Sequence, residues 1–226
     1  ISACLVGSEM CIRDRGMPLV LTLGFTFSNT TNAVSKDSKE DYSSQTVEEQ
    51  KQAYKEKMTN LSQEEIVSNF ERIDREYNIG EEFSLKDQAF VEMYASPANP
   101  EDVNILATKY ISGSKTSNGI TVKVSGNIKD DIQNLINQSF GASNLKTSTT
   151  AGASKVTSVK TEVFHNAYGL VGSGGVGKVY SGSISTSGKN TTLSATKRYS
   201  AVVVYASTWC TVTVNHKGGT FTVNPN

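Results

Sequence analysis

Between Lys155 and Asn224 polar residues and β-formers alternate with only short breaks, and after Glu162 there is no Asp or Glu at all. This pattern constrains the fold more than any other feature. Period-two alternation gives each strand two distinct faces. Candidate strands are 155–164, 178–187, 191–197, 199–207, 209–216 and 220–224. Ser187-Gly188-Lys189-Asn190 and His216-Lys217-Gly218-Gly219 supply turns between them. Ala201 to Tyr205 is the most continuous apolar run and is expected to be a central strand. Upstream, Ile120, Val122 and Val124 alternate with Thr121, Lys123 and Ser125. Ile128, Ile132, Leu135, Ile136 and Phe140 then switch to helical spacing, with Asn127 as cap and Gly141 as stop. Ala142 to Ser154 reads as a loop or a weak edge.

The sequence before this region is different. Residues 34–110 hold 17 acidic and 9 basic residues, a balance of −8, whereas residues 111–226 hold 3 and 11, a balance of +8. Thr46-Val-Glu-Glu49 and Ser62-Gln-Glu-Glu65 are capping boxes, in which a hydroxyl and a Glu satisfy each other's backbone N–H groups. Ile66, Phe70, Ile73 and Tyr77 form one helical stripe, with Gly80 as the stop. Ser84 opens a further short helix with Leu85, Ala89, Phe90 and Met93. Val103, Leu106, Ala107 and Tyr110 are spaced for another turn or two. A boundary falls near 111–118, where SGSKTSNG reads as a flexible connector. The expected class is α+β: short N-terminal helices (46–112), then a basic antiparallel β-sandwich or barrel-like domain with one helix (119–226).

The N-terminal 45 residues divide into three. In residues 1–15, MCIRDR (10–15) resembles a translated mosaic end of transposon-based sequencing libraries, and CLVGSE before it resembles the adjoining adapter. The stretch is excluded from fold reasoning as an adapter artefact. Residues 16–33 read as a truncated secretory signal, apolar from Pro18 to Phe27 and ending in Thr31-Asn32-Ala33. Residues 34–45 have almost nothing to bury and are expected to be disordered. With Cys4 and Cys11 set aside, Cys210 stands alone and cannot form an internal disulfide.

GSGGVGKV (172–179) satisfies the spacing of a dinucleotide-binding loop and nearly that of a P-loop. Such loops work because the glycine turn opens into a helix whose N–H groups converge on phosphate. Here the next residues are KVYSGSIST, Val179 replaces the magnesium-binding hydroxyl, and no carboxylate follows. The cluster is expected to be a turn between strands, with no nucleotide and no cofactor.

Cys210 with His165 or His216, and Asn166 orienting the imidazole, would be the only route to a thiolate hydrolase or transpeptidase. On strand alternation Cys210 shares a face with Val212 and Val214, which favours a buried thiol. Two His and one Cys are too few for zinc. Asp130 and Asp131 read as the exposed side of a helix, and no nucleic-acid fingerprint accompanies the basic residues. What remains is a surface. Lys178, Lys189, Lys197 and Arg198, with Tyr180, Tyr199 and Trp209 as amphipathic anchors, would attract a bacterial membrane or cell-wall polymer.

The stretches SQEEIVSNFERIDREYNIGEEFSLKDQAFVEMYA, FHNAYGLVGSGG and YASTWC together resemble secreted Gram-positive large bacteriocins of the geobacillin type. That resemblance implies an exported antibacterial protein without a cofactor, and it carries over no active-site residues. The alternatives are the Cys/His hydrolase and a structural or adhesive surface module.

Overall fold

The computed structural model describes residues 46–98, 107–132 and 137–226; the adapter-like, signal-like and 34–45 segments lie outside them. Both capping boxes form. Thr46 starts α1 (Val47–Lys57) and Ser62 starts α2 (Gln63–Glu76), each with its hydroxyl accepting from the N3 backbone and the N3 Glu reaching back. Ser84 caps α3 (Leu85–Tyr94) by accepting from Asp87 N. Arg72 of α2 bonds the Asp87 carboxylate, which Tyr77 and Ser84 also hold. Lys51 and Lys55 of α1 both reach Glu92 of α3.

After the two-residue β1 (Ser96–Pro97) the described elements are antiparallel strands, apart from a single 3₁₀ turn at Ala153–Lys155. The strands are β2 (Ala107–Ser117), β3 (Ile120–Asp131), β4 (Gln138–Ala151), β5 (Val156–Val171), β6 (Gly175–Ser187), β7 (Asn190–Tyr199), β8 (Tyr205–His216) and β9 (Gly219–Val223). One sheet runs β2-β3-β4-β7; the other runs β8-β5-β6, with β1 and β9 on the free side of β8. Their inner faces share an aliphatic core that includes Ile120, Val122, Leu145, Val159, Val163, Val212 and Val214. The hairpin from β6 to β7 crosses between the sheets at one margin. At the other, Asn226 pairs with Ser112 of β2 through N–H···O bonds of 3.0 and 3.3 Å. The result is a sandwich tied at both margins, an α+β fold of the expected class.

The helices pack on the outer face of the second sheet. Phe70 stacks on Trp209 at 5.8 Å, and Phe83 meets Tyr168 edge-on at 5.7 Å. Val67, Phe70, Ile73 and Phe90 thus share a core with Tyr168, Val176 and Trp209. Burial of such rings is worth roughly 1.5–3 kcal/mol each, enough to dock the amphipathic α2.

Several local expectations are corrected. Ile128 continues β3 rather than opening a helix, and Phe140 lies in β4; residues 133–136 are outside the described set. A spacing of four keeps side chains on one face of a strand as well as of a helix, so 128, 132, 136 and 140 satisfy both periods. Ala107 to Tyr110 begin β2, not a helical turn, while Val103 and Leu106 are outside the described set. SGSKTSNG is the end of β2 and its hairpin turn: Ser117 pairs with Ile120 around Asn118 and Gly119. Ala142 to Ala151 is not a loop or edge but part of β4, paired on both sides. Ala201 to Val203 is irregular, and the central strands of its sheet are β5 and β8. In each case cross-strand pairing overrides local composition.

Candidate functional site

The glycine cluster is a hairpin turn. Gly172 and Gly174, at φ +56° and +108°, join β5 to β6, and strand rather than helix follows. Segment 78–83 lies along β6, with Phe83 N donating to Val176 O at 3.0 Å and Gly80 N to Lys178 O at 2.8 Å. A Cβ at Gly177 would come within 2.2 Å of Glu81 O, and one at Gly175 within 2.1 Å of Glu82 Oε1. These glycines let the segment linking α2 to α3 approach the strand. The chain's own Glu82 carboxylate lies against Gly172 and Gly175 of this turn, and Ser173 Oγ donates to it at 3.3 Å.

Lys178 is not a surface contact. It is buried, and its Nζ donates to Asp74 O at 2.7 Å and Asp74 Oδ1 at 3.0 Å, locking β6 to α2. Trp209 is buried between Phe70 and Phe164. Tyr199 is buried too, and Tyr180 stacks on it at 4.0 Å. Of the envelope-contact set, Lys189, Lys197 and Arg198 are exposed.

The Cys/His constellation is not assembled. Cys210 pairs in register with Val163 inside the aliphatic core, and burial pushes its thiol up to about 12. His165 pairs with Thr208 on the same inner face. Its Nδ1 lies 2.7 Å from Thr208 Oγ1 and its Nε2 2.8 Å from Tyr199 OH, so hydroxyls occupy both nitrogens. Asn166 faces the opposite side of β5. With its amide turned to suit its neighbours it donates to Ser181 Oγ at 2.9 Å and Asp74 Oδ1 at 3.2 Å, and it does not orient the imidazole. His216 stands at the β8–β9 turn, accepting from Gly218 N at 3.1 Å.

Asp130 changes role most. It is buried on β3 rather than exposed on a helix, and Thr208 Oγ1 donates to its Oδ2 at 3.0 Å. Thr208 has one proton and gives it to that carboxylate, so His165 Nδ1–H must donate to Thr208 and Nε2 must accept from Tyr199. Burial lowers the His165 pKa to about 3, which keeps the ring neutral, and stacking on Phe140 at 4.7 Å fixes its plane. Burial and then Asp130 raise the Tyr199 phenol, keeping it a donor. Burial likewise raises the Asp130 carboxyl.

This chain of hydrogen bonds ends at a cavity of about 210 Å³. Val67 and Phe70 of α2, Tyr94, Ile128, Ala206 and Trp209 supply apolar lining; Lys109, Lys129, Asp130, Ser207 and Thr208 supply polar lining. No known family model matches the chain, and no curated protein matches it. Sequence reasoning missed Asp130 because the helical spacing from Ile128 to Phe140 put it on the solvent side.

The outer face of the β2-β3-β4-β7 sheet is the other chemically distinct feature. In-register rows carry Ser114–Lys123–Ser148, Ser112–Ser125–Lys146–Thr192 and Asp131–Ser139–Arg198. Lys123, Lys146 and Arg198 are exposed and Lys129 is half-buried; Asp131 is the only acidic side chain on this face among the described residues. Tyr110, 63% exposed, lies at its margin. The alternation of Thr121, Lys123 and Ser125 already marked the first of these β3 positions, whereas Lys129 and Asp131 fell in the stretch expected to be helical.

Proposed function

We propose that this chain is an exported, non-enzymatic antibacterial protein that binds the bacterial envelope, of the kind that its resemblance to geobacillin-type large bacteriocins implies. The observation that carries the reading is the outer face of the four-stranded sheet. It presents hydroxyls in rows with Lys123, Lys129, Lys146 and Arg198 spread among them and Asp131 as the counter-charge. Cations spaced along a rigid, pleated surface suit anionic polymers and lipid headgroups, which present repeated negative charge. Ser and Thr hydroxyls add short-range hydrogen bonds to phosphate or sugar oxygens. The face has no helical cover among the described residues, whereas the other sheet is covered by α2 and α3.

The hydrolase reading has less support, since the Cys210 thiol is buried in the core and His165 is saturated by Thr208 and Tyr199. Co-sedimentation with purified Gram-positive walls and leakage from vesicles rich in phosphatidylglycerol test the proposal, alongside killing of Gram-positive cells. Binding with killing is the expected result. Binding without killing or leakage would make the chain an adhesive module instead.

A further inference from the structure

Two buried polar atoms on the 210 Å³ cavity have no partner among the described residues. One is Asp130 Oδ1, on a residue 7% exposed; the other is Trp209 Nε1, on a residue 5% exposed. Leaving either without a bond costs free energy, more for a carboxylate than for an indole. Side chains held this way point to a ligand that supplies both complements. Lys109 also lines the cavity and joins no ion pair among the described residues.

The ligand chemistry follows from these three groups. Asp130 Oδ1 asks for a hydrogen-bond donor, best a cation, because its other oxygen is satisfied by Thr208. Trp209 Nε1–H and Lys109 ask for an acceptor, best an anion. Part of the wall, Val67 and Ile128 among it, is apolar. A sugar stacking on the indole does not fit, since Phe70 and Phe164 lie parallel to Trp209, 5.8 and 5.4 Å away. The space far exceeds the ~10–15 Å³ that admits one water.

We propose that this cavity is a binding site for a small zwitterion with an apolar substituent, an α-amino acid: its ammonium bonds Asp130, its carboxylate meets Trp209 Nε1–H and Lys109, and its side chain lies against Val67 and Ile128. The ammonium supplies the counter-charge that burial denies Asp130. The site is separate from the outer face of the four-stranded sheet, so its occupancy and envelope binding can fail independently.

Trp209 is the only tryptophan in the chain, so its indole N–H resonance reports on the cavity directly. ¹⁵N-labelled protein would be titrated with L-leucine, with 3-methylbutylamine and with 4-methylpentanoate. A saturable shift with leucine is expected, with each half-molecule binding about tenfold or more weakly, the usual effect of losing a charged hydrogen bond. Asp130→Asn should weaken leucine binding by a similar factor. Lys109→Gln, at an exposed position that does not threaten folding, should weaken it by about threefold. The proposal is overturned if leucine gives no saturable shift up to about 10 mM, beyond the millimolar range of weak specific ligands. It is equally overturned if 4-methylpentanoate binds as tightly as leucine, or if folded Asp130→Asn binds leucine unchanged.

Discussion

Lys178 Nζ lies 2.7 Å from the main-chain oxygen of Asp74 and 3.0 Å from its carboxylate, so the lysine of the glycine-rich stretch binds a helix and not a phosphate. The Lys178 side chain is 6% exposed and that of Asp74 31%. The bond joins α2 to β6 and helps hold the helical cover on the sheet. Truncating Asp74 leaves the buried ammonium on the main-chain oxygen without a counter-charge. We expect Asp74→Ala to cost about 2–4 kcal/mol in urea unfolding, and Asp74→Ala with Lys178→Met to recover much of it.

The glycine turn yields a second expectation. Gly177→Ala drives a methyl into Glu81 O and Val171 Cγ2, at 2.2 and 2.3 Å, where neither backbone nor packed side chain can yield easily. Its thermal midpoint should fall by the equivalent of roughly 1–3 kcal/mol. Gly174→Ala meets nothing within 4 Å and should cost only the strain of its φ of +108°, about 1–2 kcal/mol.

Docking of α2 rests on Phe70, which contacts Phe90, Tyr168 and Trp209. Phe70→Ala should destabilise the protein by about 3–5 kcal/mol. It should also red-shift Trp209 emission under native conditions, because the ring shielding one indole face is gone.

Acid response separates two of the buried titrating groups, His165 and Asp130. His165 is packed by Tyr199 of β7, Tyr180 of β6, Phe140 of β4 and Thr208 of β8, with Asp130 of β3 beyond Thr208. Its pKa is depressed to about 3 from 6.5, so its contribution is complete above pH 6.5 and drains away as pH falls towards 3. Asp130 is shifted upwards, chiefly by burial, so its contribution runs the other way, present in acid and lost as pH rises through the raised value. Urea midpoints between pH 7 and 3 should therefore fall less steeply for His165→Gln than for the parent, and more steeply for Asp130→Asn.

The amphipathic elements were legible in the sequence, and the paired elements were not. Thr46, Ser62 and Ser84 each start a helix within a few residues of their own sequence signals, because caps are local chemistry. Strands such as β6 and β9 announced themselves through alternation. Ala142 to Ala151 looked like a loop because Ser, Thr, Ala and Gly carry little apolar signal, yet β3 and β7 pair with it on both sides. Ala201 to Val203 misled in the opposite direction, as an apolar run without a strand partner. The site was harder still. Asp130, Thr208, His165 and Tyr199 come from four strands, and only the register of the sheets and the packing between them join the four. Trp209 alternated correctly away from Cys210, but nothing local said that α2 would cover it.

The central claim is that the outer face of the four-stranded sheet meets the envelope. Charge reversal of Lys123, Lys146 and Arg198 together, each exposed and outside the core, tests it without unfolding the sandwich. Co-sedimentation with Gram-positive walls and phosphatidylglycerol vesicles should be lost in the Lys123→Glu, Lys146→Glu, Arg198→Glu protein at unchanged thermal midpoint, and parental binding should weaken as salt shortens the Debye length. Parental-strength binding by the folded triple variant would contradict the account.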